Sequence, residues 1–334
     1  MRSLITGGAG FIGSHFCEAL LARGESVIIL DDLSTGSVDN LRSVRKHPNV
    51  LCVFESMMNR SLLCELVDDA DVIYHLAAAV GVRRIIESPV RTIETNVRGT
   101  ELVLDCAAKK SKPVFVASTS EVYGKNAAVP FRESDDIVLG PSSRSRWSYA
   151  TSKLLDEFLA LAYWNEKGLP VVVGRLFNTV GPRQTGRYGM VLPTFVNQAL
   201  EGSPITVYGS GQQTRCFSYV GDVVESIVRL MSSDKAVGQV VNIGNDQELS
   251  IMGLAEMVLA ATASSSPILF IPYDEAYAPG FEDMARRVPC VEKLFSLTEF
   301  RPTTPLHIIV ESVVEYFRKR GQPASESATA ITAA

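Results

Sequence analysis

The chain has 334 residues, 46% hydrophobic and 21% charged, with a formal net charge of -5; these are the proportions of a globular protein with one large core or two modest ones. The acidic balance leaves no basic face for nucleic acid or an anionic membrane, and no apolar run reaches spanning length. Six cysteines, Cys17, Cys52, Cys64, Cys106, Cys216 and Cys290, show no CxxC spacing, and the four histidines do not cluster with them. Reduced thiols, a cytoplasmic location and no structural metal are the expectations. The opening "RSLIT" is too short for the apolar segment of a signal peptide.

Taken in chain order, "SLIT", "SVIILD", "VLCVF", "DVIYHLA", "PVFVAS" and "PVVVGR" are strand candidates. Between them, "FIGSHFCEALLAR" and "PVRTIETNVRGTELVLDCAAKK" space apolar residues as helices do. Strand and helix in alternation predict a doubly wound parallel sheet with crossover helices on both faces, a Rossmann-type α/β fold. After Arg175 glycine and proline become frequent, and "ITVYGSG" and "PILFIPYD" are further strand signals, while "VVNIG" predicts a return to the main sheet. The expected organisation is a nucleotide-binding domain over 1–175, with 220–245 returning to it, and a smaller interleaved C-terminal α/β lobe over 176–219 and 246–320. Residues 321–334, "GQPASESATAITAA", have the composition of a disordered tail.

In "LITGGAGFIGSH", Gly7, Gly10 and Gly13 stand between the first strand and the first helix, where missing side chains let a pyrophosphate reach the backbone and the helix N-terminus. Asp31, at the end of the second strand, is placed to accept hydrogen bonds from a ribose diol. Asp31 and Asp32 together would repel a 2'-phosphate, and no Arg or Lys follows until Arg42, so the expected cofactor is NAD rather than NADP. Further on, Tyr149 and Lys153 in "SYATSK" project from one helix face. A nearby ammonium favours the phenolate, so Lys153 is expected to lower the Tyr149 pKa and make it a general base. Thr119 ends the fifth strand, where open α/β sheets build their sites.

"TGGAGFIG", "HLAA", "TNVRGT", "STSEVYG" and "YATSK", in that order, resemble the extended short-chain dehydrogenase/reductases, and within them the nucleotide-sugar epimerases, dehydratases and decarboxylases. The resemblance covers about residues 1–318. It implies a tightly held NAD whose contacts include Gly7, Gly10, Phe11, Ile12, Gly13, Asp31, Asp32, Ser34, Gly36, Ser56, Leu76, Ala77, Ala78 and Asn96. It also implies that Tyr149 takes the proton from the sugar 4-hydroxyl, that Lys153 holds the nicotinamide ribose, and that Thr119 orients O4. A nucleoside diphosphate sugar, UDP-linked, would meet Asn178, Arg183, Tyr208, Arg215 and Arg287. The helices over 97–110 and 149–165 resemble those that pair these enzymes into homodimers. Two departures stand out: Ser56 replaces an Asp common near the adenine, and Cys290 replaces an Asp common after the proline.

Glu121 sits where simple 4-epimerases of this family usually carry a small residue. Once C4 is a ketone, a carboxylate there serves either of two reactions: removal of the C5 proton in a 4,6-dehydratase, or management of the enolate left when a 4-keto uronate loses carbon dioxide. Ser120 stands where thymidine-sugar dehydratases typically have a protonating Asp, which favours decarboxylation. Arg83 and Arg84 are candidates to face an anionic C6 group. The decarboxylases also resemble this chain in Thr-Ser-Glu, yet carry Tyr-Asp-Glu-Gly-Lys at the catalytic tyrosine where this chain has "SYATSK". The reading is a UDP-glucuronate decarboxylase giving UDP-4-keto-pentose or UDP-xylose. A 4-epimerase, a 4,6-dehydratase, a sugar dehydrogenase that releases its reduced cofactor and a non-catalytic NAD sensor are the alternatives. His75 is read as a packed strand-end residue.

Overall fold

A computed structural model describes residues 1–79, 88–186, 190–272, 275, 284 and 286–321. Its strands are β1 (Arg2–Thr6), β2 (Ser26–Leu30), β3 (Val50–Val53), β4 (Val72–His75), β5 (Val114–Thr119), β6 (Val171–Leu176), β7 (Thr179–Val180), β8 (Ile205–Tyr208), β9 (Thr214–Cys216), β10 (Ser218–Tyr219), β11 (Gln239–Ile243), β12 (Glu248–Ser250) and β13 (Ile268–Ile271). The helices are α1 (Phe11–Ala22), α2 (Arg60–Asp69), α3 (Pro89–Ala108), α4 (Arg146–Lys167), α5 (Val191–Glu201), α6 (Val220–Met231), α7 (Ile251–Thr262), α8 (Glu292–Thr298) and α9 (Leu306–Gly321).

Seven strands form one parallel sheet in the order β11-β6-β5-β4-β1-β2-β3. Its strands are aliphatic runs rather than alternating patterns because both faces are covered. On one face, Phe16 and Leu20 of α1 and Val223 and Ile227 of α6 pack on Ile5, Ile29 and Phe115. On the other, Leu63 of α2, Val103 and Leu104 of α3 and Ala160 of α4 pack on Leu4, Ile28, Ile73 and Val116. A fully buried aliphatic side chain of this kind contributes about 1.5–3 kcal/mol. A separate core joins α5, α7, α9 and β8 through Phe195, Leu254, Val310 and Val207.

The strand order reverses between β1 and β4, so the loops after these strands diverge and open a crevice at the sheet's carboxyl edge. Short β7, β9, β10 and β12 escape a sequence reading, since two or three residues carry no periodicity. Gly321 ends α9, and residues 322–334, nearly all of the expected tail, lie outside the described residues.

One expectation is overturned on the back of the sheet. Cys64 of α2 and Cys106 of α3 form a disulfide rather than remaining reduced. They lie 42 residues apart, but α2 and α3 share a core face, which brings their Cα atoms to 5.1 Å, within bridging range. Cys17, Cys52, Cys216 and Cys290 are free thiols. Burial pushes Cys17 and Cys216 up to about 12, which keeps them unreactive. Among the described residues no helix is long and apolar enough to cross a membrane.

Candidate active site

At the nucleotide end, backbone replaces side chain because nothing larger fits. Gly7 has φ 75°, and a Cβ there would lie 2.8 Å from the Ala77 amide nitrogen. The loops after β1 and β4 therefore touch backbone to backbone at Leu76 and Ala77, with Ala78 next in the chain. A Cβ on Gly13 would meet the Gly7 carbonyl oxygen at 2.2 Å, so the third glycine is what lets α1 pack on the β1 turn. Gly10 caps α1 without a side chain, leaving the amides of Phe11, Ile12 and Gly13 for an anion.

Asp31 is 8% exposed and accepts hydrogen bonds from Ala9 N at 2.9 Å and Leu33 N at 2.8 Å. Burial raises its pKa, and these bonds oppose the shift. A carboxylate offers about four lone-pair sites, so acceptor capacity remains for a diol. Gly36 packs over it; a Cβ there would come within 2.8 Å of Oδ1. Asp32 is exposed and accepts from Ser34 N at 2.9 Å. Ser56 lies in the turn after β3, its hydroxyl accepting from Met58 N at 3.2 Å. This cradle fits a dinucleotide: glycines at the pyrophosphate, a helix N-terminus and an acid at the ribose position.

Asn96 acts one layer behind the crevice. It is 1% exposed, accepts from Ala79 N at 2.8 Å and donates to the Ser152 hydroxyl at 3.0 Å, bracing the loop after β4 against α4. His75 is packed at the strand end as expected, with Nδ1 2.8 Å from the Thr6 hydroxyl and Nε2 3.0 Å from the Thr100 hydroxyl. Burial, then the charge of Lys153, lowers its pKa to about 3, so it is neutral.

At the chemistry end, β5 delivers Thr119 and a short 3-10 helix, Ser120–Tyr123, delivers Glu121. Thr119 caps that turn by accepting from Glu121 N at 3.2 Å. Its side chain also bonds the Tyr149 hydroxyl, so the three residues converge. Ser120, 2% exposed, is buried in the turn.

The expected effect of Lys153 on Tyr149 is corrected by the structure. The Lys153 ammonium lies 2.6 Å from Asp156 Oδ2 with both side chains buried, so its field is largely cancelled. Tyr149 is pushed above the usual phenol range, chiefly by burial, then by the Glu121 carboxylate, and further by Asp156; the Thr119 bond opposes these. Asp156 was the residue the sequence reading missed. Its only signal was an acid three positions beyond Lys153, on the helix side that Lys153 occupies.

A second buried pair stiffens the same corner. Arg175 of β6 reaches Glu157 Oε2 through Nη2 at 2.7 Å, Ser118 of β5 also donates to Glu157, and the guanidinium sits 4.7 Å from the Tyr123 ring centroid.

The C-terminal segment contributes Arg287. Its Nη1 lies 2.5 Å from Glu121 Oε1, with the side chains 8% and 21% exposed. Arg287, expected to meet the nucleotide sugar, thus also meets the glutamate of the β5 turn. Arg183 pairs with Glu18 of α1 at 2.6 Å and reaches the Asn40 carbonyl at 3.4 Å. Asn178 donates to the Cys216 carbonyl at 3.1 Å, Arg215 to the Thr214 carbonyl at 2.7 Å, and Tyr208 is 37% exposed at the end of β8. Arg83 and Arg84 lie outside the described residues.

Comparison with known proteins agrees with this geometry. The NAD dependent epimerase/dehydratase family matches residues 3–244. The chain belongs to that family. A UDP-N-acetyl-alpha-D-glucosaminuronate decarboxylase of Bacillus cytotoxicus is 42% identical, over 95% of this chain and 98% of that protein. UDP-glucuronic acid decarboxylase 1 of Xenopus tropicalis is 37% identical, over 95% and 72%. Among solved structures, UDP-glucuronic acid 4-epimerase from Bacillus cereus, in complex with UDP-glucuronic acid and NAD, superposes with a TM-score of 0.86 at 29% identity, covering 96% and 100%. The chain is thus an enzyme of an NAD-dependent family that modifies nucleotide sugars.

Proposed function

We propose that the protein oxidises C4 of a UDP-hexuronate, UDP-glucuronate on the primary reading, and decarboxylates it to UDP-4-keto-pentose or UDP-xylose. The observation that carries this reading is the Glu121–Arg287 ion pair beside Thr119 and Tyr149. After C4 oxidation a decarboxylase must manage an enolate and its reprotonation at C5, a step that simple 4-epimerisation lacks and that a carboxylate held by a guanidinium can serve. The 42% identity to a uronate decarboxylase supports the same choice.

In this mechanism the glycine turn and α1 hold the pyrophosphate, Asp31 takes the adenosine ribose, and Tyr149 and Lys153 stand at the nicotinamide end. NAD, when bound, supplies the acceptor and later the donor of the C4 hydride. Tyr149 takes the O4 proton while Thr119 aligns O4. The product of that step is a β-keto acid, so the C5–C6 bond breaks with its electron pair passing into a C4 enolate as carbon dioxide leaves. The Tyr149 phenol, now protonated, and the Thr119 hydroxyl donate to the enolate oxygen. Glu121 and Arg287 orient the water that returns a proton to C5. Asn178, Tyr208 and Arg215 hold the nucleotide in the lobe of α5, α7 and α9, while the seven-stranded sheet holds NAD.

Product analysis tests the reading. With UDP-glucuronate, and in parallel its 2-acetamido counterpart, mass spectrometry should find carbon dioxide lost and a UDP-pentose formed. A C4 epimer of unchanged mass would replace the decarboxylase with an epimerase. Loss of water from a neutral hexose nucleotide would replace it with a dehydratase.

The protein also works, on this reading, as a homodimer. Val90 and Ile93 of α3 and Leu155 and Phe158 of α4 are 68%, 42%, 48% and 64% exposed on adjacent helices. Such an apolar patch fits a self-complementary interface. Phe158→Glu should give a monomer by light scattering where the parent is a dimer; a monomeric parent rejects the assembly.

A further inference from the structure

Asp156 is 0% exposed. Oδ2 takes the Lys153 ammonium at 2.6 Å, and the neighbouring Thr100 hydroxyl, 3.0 Å from His75 Nε2, also bonds the carboxylate. For stability this is a poor arrangement, because desolvating two charges costs several kcal/mol per ion, which apolar side chains of the same size would avoid. Burial raises the Asp156 pKa and the Lys153 ammonium pulls it back.

The other charges around this pair are already committed. From β4 comes the neutral His75, from the turn after β5 comes Glu121 held by Arg287, and from α4 comes Glu157 held by Arg175. Toward the site, α3 presents the neutral Asn96 and Thr100. Asp156 is therefore the counter-charge in contact with Lys153.

We propose that Asp156 is a positioning residue that keeps Lys153 an ammonium, in a fixed place, beneath Tyr149. The proposal rests on the reading of Tyr149 and Lys153 as the base and its partner. At 3% side-chain exposure the ammonium is stripped of water, and the Asp156 carboxylate in contact with it is the charge that offsets that loss. Its i,i+3 position also fixes the lysine stem, so the ammonium needs no reordering at each turnover.

The test compares Asp156→Asn and Asp156→Glu. The pH dependence of bound-NAD reduction on mixing with UDP-glucuronate is recorded, together with NAD affinity against pH in the absence of substrate. In Asp156→Asn both alkaline limbs should move to lower pH by about one unit or more, and Asp156→Glu should bring them back toward the parent's position. A lower rate with an unmoved alkaline limb overturns the proposal. Should Asn not fold, Asp156→Ser takes its place. If neither neutral variant folds while Glu folds with the parent profile, the carboxylate serves stability alone and the proposal is overturned. Lys153→Met separates the two ideas: full activity there removes the base-pair reading itself, whatever Asp156 does.

Discussion

Tyr149→Phe should bind NAD nearly as well as the parent and turn over about a hundredfold to ten-thousandfold more slowly, the range for a lost general base. That loss is about 3–5 kcal/mol of barrier. The separation of effects follows from the geometry: Gly7, Gly13 and Asp31 build the cradle at the far end of the crevice, and none of them touches the phenol. The ring stays half-buried, and the folding cost is one hydrogen bond with Thr119, about 1 kcal/mol. Because burial and Glu121 raise the Tyr149 pKa, the oxidation step in the parent should accelerate as pH rises through neutrality, and Tyr149→Phe should lose that dependence. Turnover within threefold of the parent would remove Tyr149 from the mechanism.

Glu121→Gln should divide the reaction in two. Oxidation at C4 needs Tyr149, so bound NAD should still be reduced when UDP-glucuronate is added. Carbon dioxide release should fall by about a hundredfold or more, since Gln keeps the shape but leaves Arg287 without its counter-charge. A glutamine oxygen can still accept from Arg287, which limits the stability loss to about 1–3 kcal/mol. Stopped-flow absorbance of the reduced nicotinamide, followed by quantified carbon dioxide, measures both halves. Parent rates in both halves would reduce Glu121 to a bystander and return the protein to the epimerases.

Much of this was legible along the chain, because the determining signals are local. Aliphatic runs bounded by turns mark the parallel strands, Gly7, Gly10 and Gly13 stand at fixed offsets from β1, Asp31 directly follows β2, and Tyr149 and Lys153 share one helix face. Each depends on neighbours within about one turn or one strand, which is what a sequence records.

The tertiary structure alone decided who meets whom across distance. Arg287 reaches Glu121 across 166 positions, Cys64 reaches Cys106 across 42, and Arg183 reaches Glu18 across 165. The protonation of the site was decided the same way. Lys153 and Tyr149 are four residues apart, yet the field at the phenol depends on a desolvated Asp156 and on Glu121 arriving from the turn after β5. Spacing fixes which groups can share a face. Charge, burial and partner choice are sums over everything packed around them, and that sum exists only once the chain is folded.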